Sequence, residues 1–107
     1  MAHGLTHVAL GVTDLDRSVA FYRSYADMEV VHQRADEQSG HRVAWISDLT
    51  RPFVIVLIQD GVTSSLGGHN NLGVGVDSRG EVARRLGRAR VDGYATMGPR
   101  AAGPPVG

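Results

Sequence analysis

No cysteine occurs among the 107 residues. That excludes a disulfide framework, a thiolate nucleophile and a thiolate-bound metal, and leaves imidazole, carboxylate and amide groups as the only metal ligands. Lysine is missing as well: all 11 basic residues are arginine, and 11 carboxylates cancel them. A chain without net charge has no global field to draw it to nucleic acid or to an anionic membrane. The all-arginine usage reads as a coding bias rather than a binding surface. Long apolar runs are also lacking. The longest, Phe53–Ile58, falls far short of the roughly 20 residues that cross a bilayer, and the first residues lack the basic segment and apolar core of a secretory signal. The expected setting is soluble and cytoplasmic.

What is present is an ordinary globular composition, 42% hydrophobic and 21% charged. The 14 glycines and 4 prolines exceed the usual share without reaching the range of disordered chains. The length allows one domain with one modest core.

Along the chain, residues 4–12 alternate as a strand, with Val8, Leu10 and Val12 on one face and His7, Ala9 and Gly11 on the other. Asp14 is a helix N-cap, because its carboxylate accepts from the free N–H groups of a first turn. Leu15, Val19, Tyr22 and Ala26 follow at spacings of 4, 3 and 4, the buried stripe of one amphipathic helix. Strands are predicted over Glu29–Arg34, Arg42–Ser47 and Phe53–Gln59. The last is apolar at every position through Ile58, so both of its faces are expected to be covered, one by a helix and the other by a cavity or partner sheet. Residues Asp60–Gly68 form a Gly/Ser-rich linker. A fifth strand is predicted over Asn71–Val76, then a second helix capped by Ser78 and Glu81 with Val82, Leu86 and Ala89 as its stripe. Gly93 is read as its stop, Tyr94–Met97 as a sixth strand, and Gly98–Gly107 as loop.

The chain repeats itself. His7-Val8-Ala9-Leu10-Gly11-Val12-Thr13-Asp14 returns as Asn71-Leu72-Gly73-Val74-Gly75-Val76-Asp77-Ser78, each with a polar residue opening an apolar strand and a capping residue seven positions on. The implied fold class is α+β, with two tandem β-α-β-β-β modules forming a curved mixed sheet around a cavity. Module one spans about 4–60, the linker 61–69, and a partial module two 70–107. The second module is two strands short, so the expectation is a fragment or a sheet completed by another chain. If the copies pair by a two-fold, His7 and Asn71 occupy matched places facing a shared cavity.

A duplicated module that opens with His-x-Ala-Leu-x-Val-x-Asp-Leu and carries Ser18-Val19-Ala20-Phe21-Tyr22 in its first helix resembles the vicinal oxygen chelate superfamily. That group contains glyoxalase I, extradiol dioxygenases, fosfomycin-resistance enzymes and bleomycin-resistance proteins. The resemblance implies metal ligands from the first, often the fourth, the fifth and the last strands. Here the first position is His7. The fourth falls at or near Val56, which cannot bind a metal. The fifth is Asn71, a weak ligand, and the last lies beyond Gly107.

Two functional readings stand side by side. One is a metal-free protein of the bleomycin-resistance kind that binds a small, planar or apolar molecule between modules or subunits, with Trp45 stacking, Val56 in the wall and Asn71 hydrogen-bonding. The other is a metal-dependent glyoxalase-type lyase or isomerase, or an extradiol dioxygenase. It would use Fe, Zn, Mn or Ni held by His7, by His69 two residues before Asn71 on the same face, and by a ligand beyond residue 107. The first is preferred, because ligand loss is visible in the sequence. The blander alternatives are a hydrogen-bonded His7 at a strand start, a solvated His69 and a core Trp45. Gln59 reads as an edge amide, and His3, His32 and His41 are given no role. Arg84, Arg85, Arg88 and Arg90 read as a solvated helix face, not a nucleic-acid site. Homodimers are common in the superfamily, so a homodimer is the expected assembly.

Overall fold

The computed structural model describes residues 2–61, 73–94 and 96. Its elements are β1 (His7–Val12), α1 (Leu15–Ala26), β2 (Glu29–Ala35), β3 (Arg42–Ser47), β4 (Val54–Gln59) and α2 (Arg79–Val91). The chain divides into two compact units, Met1–Leu72 and Gly73–Gly107.

In the first unit the four strands form one mixed sheet in the order β1-β4-β3-β2. Strand β1 pairs in parallel with β4, from His7 opposite Val54 to Val12 opposite Gln59. The other pairings are antiparallel. A parallel neighbour cannot follow through a tight turn, so the chain must cross over between β1 and β4. It does so through α1 and the β2–β3 hairpin, and β4 returns to the centre of the sheet. The expected all-apolar strand is therefore an inner one.

Helix α1 begins where the sequence indicates. Asp14, in an extended conformation, accepts from the Arg17 N–H at 3.1 Å. A second acceptor comes from across the fold: Gln59 Oε1 takes the Leu15 N–H at 2.8 Å. The helix ends at Asp27, which adopts the left-handed conformation (φ 53°) that Asp tolerates better than most residues. The predicted stripe packs on the sheet. Leu15 and Ala26 are buried with Met28, Ala44, Ile46, Ile55 and Leu57, and Leu10, Val12, Val19, Tyr22, Val30 and Phe53 close around them. Burial of the Tyr22 hydroxyl raises its pKa above the usual phenol value. On the same face Arg42 Nη2 donates to Asp16 Oδ1 at 2.8 Å, holding that carboxyl below the usual carboxylate range.

The β2–β3 hairpin is closed by the Asp36 carbonyl, which accepts from the Gly40 N–H at 2.7 Å. Gly40 has φ +75°, a conformation that glycine adopts without steric cost. Within β2 the register slips between Val30 and His32. Val30 faces Ile46, and His32 then faces Trp45. Val31 is the extra, half-exposed residue of a β-bulge.

In the second unit, Ser78 caps α2 by accepting from the Glu81 N–H at 3.2 Å. The Glu81 carboxylate takes Arg85 at 2.8 Å and Arg84 at 2.9 Å, and both guanidiniums depress its pKa. Gly93, at φ +87°, follows the helix as its predicted stop. The anticipated strands differ from what is found. Gly73–Val76 has no strand pairing, and neither Tyr94 nor Thr96 lies in a strand. Gly73 and Gly75 leave one side of that segment without side chains to pack, which weakens a strand. The rest of both predicted strands, and the linker from residue 62, lie outside the described residues.

Leu57 has 0% exposure, so Leu57→Ala is expected to lower unfolding free energy by about 2–5 kcal/mol in a urea titration. A loss under about 1 kcal/mol would show that the site is not packed as described. Replacing Gln59 with Leu removes the second acceptor at the start of α1 and should cost about 1 kcal/mol. The same titration checks this, with an unchanged midpoint as the contrary result.

Candidate functional site

Successive side chains of a strand point to opposite faces, so the face of the sheet turned away from α1 is set by the residues that alternate with the core. The pairings align them in rows. His7 stands beside Val54, then Ala9 beside Val56, Trp45 and His32, then Gly11 beside Ile58, Val43 and Arg34. On this face lies a concavity of ≈530 Å³ lined by Thr6, His7, Ala9, Arg34, Trp45, Pro52, Val54 and Val56. That volume lies within the range of small-molecule sites, and a mostly apolar wall with a few polar groups is their usual composition.

Three of the residues singled out from the sequence meet here: His7, Trp45 and Val56. Val56 forms part of the floor, between Ala9 on β1 and Trp45 on β3. Trp45 is half-buried, and its ring centroid lies 4.6 Å from that of His32 at a tilt of 55°. Its Nε1 is buried and has no hydrogen-bond acceptor among the described residues. His7 is exposed at the first position of the edge strand, and Thr6 Oγ1 lies 3.0 Å from its Nδ1. Asn71 and His69 lie outside the described residues.

Arg34 and His32 were not foreseen. Without a bulge, both would share a face with Val30, the core side. The extra residue at Val31 reverses that parity and sends both toward the pocket side. The one signal available in the sequence is the Val30-Val31 doublet, which breaks the apolar/polar alternation. Arg34 Nη1 donates to Asp36 Oδ1 at 3.3 Å. The other oxygen of Asp36 accepts from the backbone and hydroxyl of Ser39 at 3.0 and 2.8 Å. Hydrogen bonds from Ser39, then that from Arg34, hold the Asp36 carboxyl below the usual range.

These residues by themselves do not fit a divalent metal. A catalytic ion takes at least three protein ligands. Among the described residues no three His, Asp or Glu side chains converge, and around His7 the pocket has no carboxylate and one guanidinium.

Leaving a buried donor without an acceptor costs about 1–3 kcal/mol. Trp45→Phe removes that donor together with part of the indole's packing, and the two effects oppose one another. The variant is expected to stay within about 1 kcal/mol of the parent in chemical denaturation. A loss beyond about 3 kcal/mol would indicate a satisfied indole.

Known proteins of this kind share the architecture. An uncharacterized protein of Pseudomonas aeruginosa is 32% identical over 111 residues, covering 100% of this chain and 78% of its own. A mutant form of the fosfomycin resistance protein FosX of Listeria monocytogenes, complexed with Mn(II) and a dihydroxypropylphosphonic acid, superposes with TM-score 0.75 at 21% identity. That match covers 95% of this chain and 79% of FosX. A possible glyoxalase of Bacillus cereus gives TM-score 0.75 at 20% identity, over 92% and 82% of the two chains. At these identities the structural matches establish the fold. The sequence model of the Glyoxalase/Bleomycin resistance protein/Dioxygenase superfamily matches residues 4–101. Together with the Pseudomonas relative and the shared fold, this match makes the chain a member of that superfamily, as its opening His-x-Ala-Leu motif implied.

Proposed function

We propose that this protein binds a small molecule with a planar, apolar body on the pocket face of its sheet, and that Trp45 is the surface on which that body rests. The observation that carries this reading is the composition of the pocket: Ala9, Trp45, Pro52, Val54 and Val56 supply an apolar surface in the position where the resemblance puts a metal-binding carboxylate. An apolar wall favours ligands that bury hydrocarbon. Asn71 is also proposed to hydrogen-bond this ligand. We also take residues 1–107 as one functional domain acting as a cytoplasmic homodimer. No described helix is long and apolar enough to cross a membrane.

A metal-dependent reading, as a glyoxalase-type lyase or isomerase or an extradiol dioxygenase, draws support from the Mn(II) bound in FosX and from His7 at the rim of the same pocket. It requires further ligands, His69 among them.

Trp45 is the sole tryptophan, so its fluorescence reports on the pocket directly. Titration of dialysed protein with naphthalene carboxamide is expected to quench it saturably, with Kd below about 1 mM. Val56→Phe, which fills the floor, should weaken binding about tenfold. Absence of saturable quenching would refute the binding reading. Stoichiometric metal in dialysed protein, lost in His7→Ala, would establish the metal-dependent one in its place.

A further inference from the structure

Among the eight described residues that line the pocket, Arg34 is the only Arg, Asp or Glu. The Arg34 side chain is partly exposed, and guanidinium groups match carboxylate and phosphate geometry through two parallel N–H donors. Asp36 satisfies Arg34 only in part. It offers one oxygen at 3.3 Å, while its other oxygen is taken by Ser39. Both partners are partly exposed, and exposed pairs of that kind are weak. Asp36 is the sole ion-pair partner of Arg34 among the described residues, so most of its five N–H donors remain available. The bulge at Val31 is what turns Arg34 to this side. Bulges are over-represented at sheet edges and beside sites, where they re-aim a side chain.

We infer that the pocket selects an organic anion, a flat apolar body bearing one carboxylate or comparable acidic group, with Arg34 as the residue that recognises the acid. The inference rests on the reading of this concavity as a ligand site and adds the ligand's charge. The geometry separates the two jobs. The body lies over Val54, Val56 and Trp45, while the acid reaches toward β2, the strand at the far edge from β1. Three inter-strand steps, roughly 14 Å, separate those edges. A ligand that engages Arg34 therefore lies across the sheet, over Trp45.

The test compares naphthalene carboxylate with its uncharged isostere, naphthalene carboxamide, by quenching of Trp45 in the full chain. The carboxylate is expected to bind at least about tenfold tighter, and its affinity alone should fall as sodium chloride screens the contact. In Arg34→Met, which keeps the apolar stem and removes the charge, carboxylate affinity should drop about tenfold to the carboxamide level. Carboxamide affinity should remain within about twofold. Equal binding of the two probes by the parent protein, or equal weakening of both in Arg34→Met, would overturn the role of Arg34 and leave the apolar pocket standing. Failure of both probes to bind would overturn the pocket reading and this inference together. The salt dependence in the parent protein needs no variant, so the inference stays testable even if Arg34→Met folds poorly.

Discussion

Strand β4 runs between β1 and β3 with no polar side chain before Gln59, so both of its faces must be kept from water. On one side Ile55 and Leu57 share the core with Leu15, Val19 and Tyr22 of α1. On the other side Val54 and Val56 line the concavity. The same strand thus holds the fold together and furnishes the site. Gln59, its last residue, reaches back to the start of α1 and fixes the helix against the strand that it covers.

The site also depends on an irregularity. A regular β2, continuing the register of Val30 with Ile46, would turn His32 and Arg34 to the helix side and set Arg34 opposite Arg42, whose partner there is Asp16. The bulge at Val31 moves both to the open face and exposes one valine in exchange. Trp45 consequently has His32 beside it, and Arg34 becomes the one arginine among the described residues of the apolar wall. Side-chain parity in a strand is all or none, so a single inserted residue changes the chemistry of a whole face.

The shared architecture with FosX and a possible glyoxalase illustrates how one scaffold carries different chemistries. The β-α-β-β-β unit leaves one sheet face uncovered, and what that face does is decided by a few inward residues. In this chain His7 of β1 and Val56 of β4 lie on that face, and no carboxylate is among the described residues that line its concavity. The proposed ligand, an apolar body bearing an acid, is drawn from that lining.

Much of the first unit was legible from residue order alone. The 4-3-4 spacing from Leu15, the cap at Asp14 and the uninterrupted apolar run from Phe53 specify local structure, because hydrophobic period and capping act over a few residues. The cover expected on both faces of β4 is found on the α1 side, while on the other side Val54 and Val56 line a concavity. The strand predicted over Asn71–Val76 rests on its pattern match to the first strand, and residues 73–76 are not in a strand, where Gly73 and Gly75 weaken strand packing. Which strand neighbours which, and hence that His7, Val56 and Trp45 share one hollow, depended on the parallel crossover. The facing of Arg34 depended on a register slip created by pairing with β3. Both are agreements between segments distant in sequence, settled only when the backbone hydrogen bonds of the sheet are satisfied together.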